Sequence, residues 1–503
     1  MKIYAHILMI SGMAALLSSC SLITEPIDTY SDVTEGVNDA GQEVVFKDKA
    51  AVESHMQTIY RQLNDRQEHW YLDLLLIADA HSDNAYGGTT GAEVIPFENN
   101  ALDASNSVLA RDWTRYLEDV ARANRLLLNI DSVQDASLTT TERAQYKAEA
   151  KIFRALVYFD MVRIWGDVPL IITEAPDITA ENIEEVYDLY FPAQSPEEEV
   201  YRQIETDLLE ALPDAPAVNP SDKTLFTKSV ARAMLAKVYA EKPIRDYTKV
   251  IQYADELAAD GFGLVADLNE LFGTNAAGSD AQARNTVESI LEAHFFPGSG
   301  NWVTWMFGRD LSNYDNSFTW AKWVTPSRNL IRAYQQEGDE KRYEQAIVYY
   351  ETSWSNYYPA ANYPFMYKIR SAHNSIIKLR YADILLLKAE ALIMTSNLED
   401  AAAIIDQIRQ RAGLARLSSA VRTDPTAMLD ALLKERRLEL AFEGQRWFDL
   451  VRLDKVEEVM NAVYASDEGR LTQAYPFNST SYRLPIPQNA IDQNPKLVQN
   501  PGY

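Results

Sequence analysis

A single cysteine, Cys20, stands in 503 residues, so no disulfide can form within the chain. Histidine is scarce as well. His6, His55, His69, His81, His294 and His373 are scattered, no pair has helical metal-site spacing with a carboxylate nearby, and no metal is expected. There is no Gly-rich phosphate loop, no Gly-x-Ser-x-Gly elbow and no Cys–His pair, so neither nucleophilic catalysis nor a cofactor is implied. Basic residues are outnumbered: 47 Lys and Arg against 73 Asp and Glu give a formal net charge of −26. Such a surface repels phosphates, which excludes nucleic acid as a partner and suits an uncharged or cationic ligand. After Cys20 no apolar stretch reaches the roughly 18 residues that a spanning helix needs. If the chain serves transport, a partner does the crossing.

The chain opens with Lys2 and His6, followed by an apolar run from Ile7 to Leu17 that is too short to span a bilayer. The run ends in Leu17-Ser18-Ser19-Cys20, which resembles the bacterial lipobox, with Ser19 in place of the usual Gly or Ala. Residues 1–19 are therefore expected to be a lipoprotein signal peptide, and Cys20 the acylated first residue of the mature protein. Several acyl chains give stable attachment, since each buried methylene contributes about 0.8 kcal/mol. Polar and acidic residues with turn formers such as Pro26, Gly36 and Gly41 read as a spacer over 20–49. A single domain is expected over 50–503.

Helical periodicity dominates that domain, over about 50–63, 105–130, 141–164, 196–211, 227–241, 246–260, 378–395, 398–412 and 426–452. Start signals support these boundaries: Thr139 with Glu142 and Ser195 with Glu198 have capping-box spacing, and Asp424-Pro425 opens another helix. Ala148, Ile152, Ala155, Leu156 and Phe159 form one buried stripe, with Arg154 and Arg163 available for polar contacts. Val230–Asp260 and Leu379–Ala412 have the length of tetratricopeptide helix pairs, and Ala389, Ala391, Ala401 and Ala402 leave room for close packing. The expected fold is mostly α: a tetratricopeptide-like α-superhelical scaffold with a large irregular loop region, about 262–370, and minor β.

Four blocks resemble one family. They are Ala148–Ala155 running into Ile164-Trp165-Gly166-Asp167-Val168-Pro169-Leu170; Leu379-Arg380-Tyr381-Ala382-Asp383 through Ala391; Lys434-Glu435-Arg436-Arg437 through Leu450; and the tail from Tyr482-Arg483-Leu484-Pro485 to Tyr503. Together they are similar to the SusD/RagB family of surface lipoproteins from Bacteroidetes. The resemblance implies a helical body with a loop-built ligand face, docked on a SusC-like TonB-dependent outer-membrane transporter, and binding of oligosaccharide without cleavage. The same fold capturing a peptide or glycoprotein fragment is the alternative. An α-helical glycoside hydrolase is the third reading, motivated by Glu435, Glu439 and Glu443 at four-residue steps. Interleaved Arg436, Arg437, Arg446 and Arg452 favour charge pairing for those carboxylates.

Two segments carry the expected ligand contacts. Trp302, Trp305, Phe307, Tyr314, Phe318, Trp320 and Trp323 crowd one stretch, and sugar rings offer flat C–H faces to such side chains. Asp79 to Gly88 supplies Asp79, His81, Asp83, Asn84 and Tyr86, whose groups suit sugar hydroxyls that both donate and accept. The expected contacts are Asp79, His81, Asp83, Asn84, Tyr86, Trp302, Trp305, Tyr314 and Trp320.

Overall fold

A computed structural model describes residues 45–88, 91–175, 178–179, 182–296, 300–304, 311, 314 and 323–503. Cys20 and the spacer to residue 44, with Trp305 and Trp320, lie outside the described residues.

The helical scaffold follows the periodicity. It comprises α1 (Lys49–Asp65), α2 (Ser107–Asn129), α3 (Thr140–Trp165), α4 (Glu197–Ala211), α5 (Lys228–Ala240) and α6 (Tyr247–Ala259). After an intervening mixed region come α7 (Arg328–Glu337), α8 (Tyr381–Met394), α9 (Leu398–Arg411), α10 (Pro425–Glu439) and α11 (Arg446–Arg452). Neighbours in sequence pack on each other, α3 on α4, α5 on α6 and α8 on α9, and α6 meets α8 to join the pairs. Ala389, Ala401 and Ala402 are fully buried where α8 and α9 touch, so small side chains set the close approach. On α3 the stripe Ala148, Ile152, Ala155, Leu156 and Phe159 is buried, and each large apolar side chain so placed contributes roughly 2 kcal/mol. Arg154 reaches from it to grip both oxygens of Asp207 on α4, at 2.8 and 2.6 Å.

Three local expectations resolve differently. The Thr139–Glu142 capping box and the Asp424 cap form. Ser195 caps nothing: it lies in a short strand, Pro196 occupies the cap position, and the Glu197 N–H donates instead to Asp167. The helix expected over 426–452 breaks after Glu439, in a turn where Phe442 (φ 63°) and Gly444 (φ 71°) are left-handed. A Cβ on Gly444 would come within 3.1 Å of Leu74, so the turn needs glycine for space as well as for its backbone angle.

Residues 262–370 hold more regular structure than a loop region. Strands β1 (Ala85–Tyr86), β2 (Val168–Pro169) and β3 (Gln194–Ser195) are followed within or just after that region by β4 (Ser289–Ala293), β5 (Thr325–Pro326), β6 (Ile347–Tyr350), β7 (Tyr363–Met366) and β8 (Ile376–Arg380). All pair antiparallel in twos: β1 with β5, β2 with β3, β4 with β8, β6 with β7. Helix α7 begins at Ser327, whose hydroxyl accepts from the Leu330 N–H, and ends at Gly338 in the left-handed conformation. Among the described residues no helix is long and apolar enough to cross a membrane.

Candidate functional site

The early segment meets residues 325–327, just past the aromatic stretch 302–323. Ala85 pairs with Pro326 and Tyr86 with Thr325, and the Ser327 hydroxyl donates to the Asp83 carbonyl at 2.7 Å. They meet in the interior, however. Asp79, His81, Asp83, Asn84 and Tyr86 are each at most 1% exposed, and most of their polar groups bond to the protein itself. Asp79 accepts from Asn84 Nδ2 (2.8 Å) and from the backbone N–H groups of Phe442 and Gly444 (2.9 and 3.3 Å), so it ties down the turn between α10 and α11. Burial, opposed by those donors, pushes Asp79 up to about 6.

Asp83 lies between Arg446, bound through both oxygens at 2.8 and 2.9 Å, and Arg437 at 3.2 Å. Burial alone would raise its pKa, but the two guanidiniums hold it far below the usual carboxylate range. Asn84 accepts from Arg437 at 2.9 Å. His81 bonds the Phe97 carbonyl through Nδ1 at 2.6 Å, and burial holds its ring down at about 4. The Tyr86 hydroxyl donates to Asp467 and accepts from the Arg328 N–H. The expectation that these five residues contact ligand is therefore corrected: the pattern of carboxylates, amide and tyrosine reflects a buried polar lock between the early segment and the α10–α11 turn.

The aromatic stretch leads elsewhere. Tyr314 stacks on Tyr350 of β6, with ring centroids 4.3 Å apart and planes 16° apart, and the Tyr350 hydroxyl donates to the Leu311 carbonyl at 2.7 Å. Alternation on the β6–β7 pair explains the platform. Val348 faces Phe365 and Tyr350 faces Tyr363, so one side of the pair is almost wholly aromatic. Trp354, in the connection, sets its edge against Tyr363 at 4.4 Å and 70°. With Leu311, Tyr358 and Tyr367 these side chains form a small apolar cluster built on buried Leu311, Tyr363 and Phe365, and Tyr358 also packs against the main core. Tyr350, Trp354, Tyr358 and Tyr367 are only partly buried, while Glu351, Ser353, Ser355 and Asn362 around them are exposed. Arginines hold two of the rings in place: the Arg328 guanidinium lies 4.3 Å over Tyr358, and that of Arg370 3.8 Å over Tyr367. Flat partly open rings bordered by hydroxyl, amide and carboxylate groups can stack on a sugar face and exchange hydrogen bonds with its hydroxyls.

Of the sequence-expected aromatics, Tyr314 joins this platform. Trp302 packs partly buried against the main core, with its backbone N–H on Gln67 at 3.0 Å. Tyr350, Trp354, Tyr358 and Tyr367 escaped the sequence reading. Their signal was density: eight tyrosines or tryptophans fall between Tyr343 and Tyr367.

The carboxylate row has a structural role. Glu435 and Glu439 on α10 are buried, and Glu443 falls in the turn beyond it. Arg342 and Arg409 bind Glu435 at 2.6 and 3.1 Å, Arg380 and Arg411 bind Glu439 at 2.7 and 2.6 Å, and Arg380 also binds Glu443 at 2.5 Å.

Comparison with known proteins agrees with this architecture. The model of the SusD family matches residues 246–503, and one described as starch-binding associating with outer membrane matches residues 32–240. SusD-like protein P2 of Formosa agariphila is 26% identical over 473 residues, covering 86% of this chain and 88% of that protein. A SusD superfamily protein from Bacteroides vulgatus superposes with a TM-score of 0.74 at 19% identity, covering 91% of this chain and 99% of that one. Surface glycan-binding protein A from Bacteroides fluxus superposes with a TM-score of 0.72 at 21% identity, covering 90% and 99%.

Proposed function

The chain belongs to the SusD family, and on that premise we propose that it is a non-catalytic glycan-binding protein of the outer membrane whose ligand face is the aromatic β6–β7 platform. The observation that carries the reading is that platform: Tyr350, Trp354, Tyr358 and Tyr367 stay partly open around a small aromatic cluster, with exposed polar residues beside them. The name of the Bacteroides fluxus relative supports glycan as ligand, and the family description supports an outer-membrane setting. Cys20 is the proposed acylation site, and residues 21–44 are the proposed spacer, shorter than the expected 20–49 because Phe46 is buried in the main core and α1 begins at Lys49; a SusC-like TonB-dependent transporter is the proposed recipient of the bound glycan. Trp305 and Trp320 remain proposed contacts, on the same stretch as Tyr314.

Native affinity electrophoresis through gels containing one soluble polysaccharide each tests the ligand class. Retardation by at least one glycan, relieved in Trp354→Ala, is expected; free migration through every gel with binding to peptides instead would shift the reading to a peptide-capturing member of the fold. For the anchor, Cys20→Ala should move the protein out of the membrane fraction, and unchanged fractionation would contradict lipidation.

A further inference from the structure

Helices α1 and α2 leave between them an open groove of about 680 Å³. Its walls are two stripes at helical spacing, Ser54, Thr58, Arg61, Gln62 and Asp65 from α1, and Glu118, Ala121, Arg122 and Arg125 from α2. Most arginines of this acidic chain are saturated by carboxylates or carbonyls. Among the described residues Arg61, Arg122, Arg125 and Arg332 donate no side-chain hydrogen bond and join no ion pair, and three of those four line this one groove. Intrahelical partners were within reach. Asp65 stands four residues beyond Arg61, and Glu118 four before Arg122, yet Glu118 is taken by Arg66 at 2.7 Å and Asp65 forms no ion pair.

The charges facing the groove are therefore three free guanidiniums and the Arg66–Glu118 pair, against Asp65 and Glu174. His55, bonded through Nε2 to the Arg122 carbonyl at 2.9 Å, adds none at neutral pH: burial, then the charges of Arg125 and Arg122, hold it down at about 4. A groove with surplus guanidinium on a chain of net charge −26 is a local inversion of sign. Each planar fork matches a carboxylate or sulfate bidentately, and Ser54 and Thr58 beside them suit hydroxyls.

We propose that the α1–α2 groove is a second binding site, for carboxylated or sulfated saccharide units, with Arg61, Arg122 and Arg125 as the anion contacts. It rests on the glycan-binding reading, and it assigns a charged ligand class to a face that the aromatic platform does not share. A concave groove favours a chain of anionic sugars over the flat headgroup layer of a membrane.

Titration calorimetry with galacturonate oligomers, a sulfated galactan oligomer and their neutral counterparts, on the full chain, tests this. Wild type should bind an anionic probe, and raising salt from about 50 to 200 mM should weaken that binding more than any neutral one. The triple variant Arg61→Ala, Arg122→Ala, Arg125→Ala should lose affinity for the anionic probe by at least ~10-fold, the equivalent of a charge-assisted hydrogen bond or more. Its thermal midpoint should stay near wild type, because no internal partner is removed, and the Arg122→Lys, Arg125→Lys variant should retain part of the affinity. Trp354→Ala should leave anionic binding at the groove intact. Equal binding by the triple variant, no anionic probe bound by wild type, or preferential binding to phosphatidylglycerol vesicles would each overturn the groove. If a neutral glycan binds and Trp354→Ala abolishes it while the groove variants change nothing, the groove falls and the platform stands; binding of no glycan at all removes both.

Discussion

The segment 79–86 and the β6–β7 pair carry the same kinds of residue, and the fold uses them in opposite ways. In the first, Asp83 meets two guanidiniums, Asp79 meets three donors, and none of the five polar residues exceeds 1% exposure. In the second, tyrosines and a tryptophan pack edge and face against each other but stay partly open, and the polar residues around them point to water. The difference lies in what surrounds each. The early segment follows two short π-helical turns, Glu68–Leu72 and Leu76–Ala80, the second of which packs on α11, and Asp79 binds the turn before that helix. On the β6–β7 aromatic face Tyr363 and Phe365 are buried beneath Leu311, Tyr314 and Trp354, and the outer rings stay partly exposed. Polar residues enclosed on all sides lock the fold, whereas aromatics with one open face can recognise a ligand.

The sharpest way to break this comparison is Asp83→Ala, which leaves Arg437 and Arg446 buried without their carboxylate. Urea unfolding should show a loss of about 3 to 5 kcal/mol, and a loss under about 1 kcal/mol would mean that the segment is not the lock described. His81 gives the next effect. Its folded pKa of about 4 lies below the unfolded value of about 6.5, so unfolding takes up a proton between these values. Its contribution is complete above about pH 6.5 and is lost as pH falls through 4, a change on the order of 3 kcal/mol. An NMR titration of the ring should place its midpoint near 4, and a midpoint near 6.5 would contradict its enclosure.

On the platform the sign reverses, with binding affected more than stability. Trp354→Ala should weaken glycan affinity by about 2 kcal/mol, roughly 30-fold in Kd, with a small change in Tm. Tyr350→Phe is the mildest. It removes the bond to the Leu311 carbonyl and costs about 1 kcal/mol of stability, yet it keeps the ring, so affinity measured by calorimetry should stay within about twofold.

Much of the scaffold was legible because helix periodicity and caps are local. Thr139 with Glu142 and Asp424 with Pro425 mark starts that the fold keeps. Helix α7 had equally local marks in Ser327 and Gly338, masked by the aromatic and glycine-rich composition around it. The break after Glu439 was not legible, since Phe442 in a left-handed conformation is stabilised by Asp79, 363 residues away in sequence. The same distance hid the role of 79–86. Its carboxylates look solvent-directed in sequence, and only the approach of Arg437 and Arg446 encloses Asp83, as the Phe442 and Gly444 N–H groups enclose Asp79. Of the platform only Tyr314 was among the expected contacts: the aromatic density read in sequence lay at 302–323, and the pairing of β6 with β7 decides which rings share a face.

Hydrogen–deuterium exchange of the full chain with and without a saturating bound glycan tests the central claim most directly. Added protection should fall on residues 347–367, with exchange at 79–86 unchanged; protection at 79–86 with none over 347–367 would contradict it.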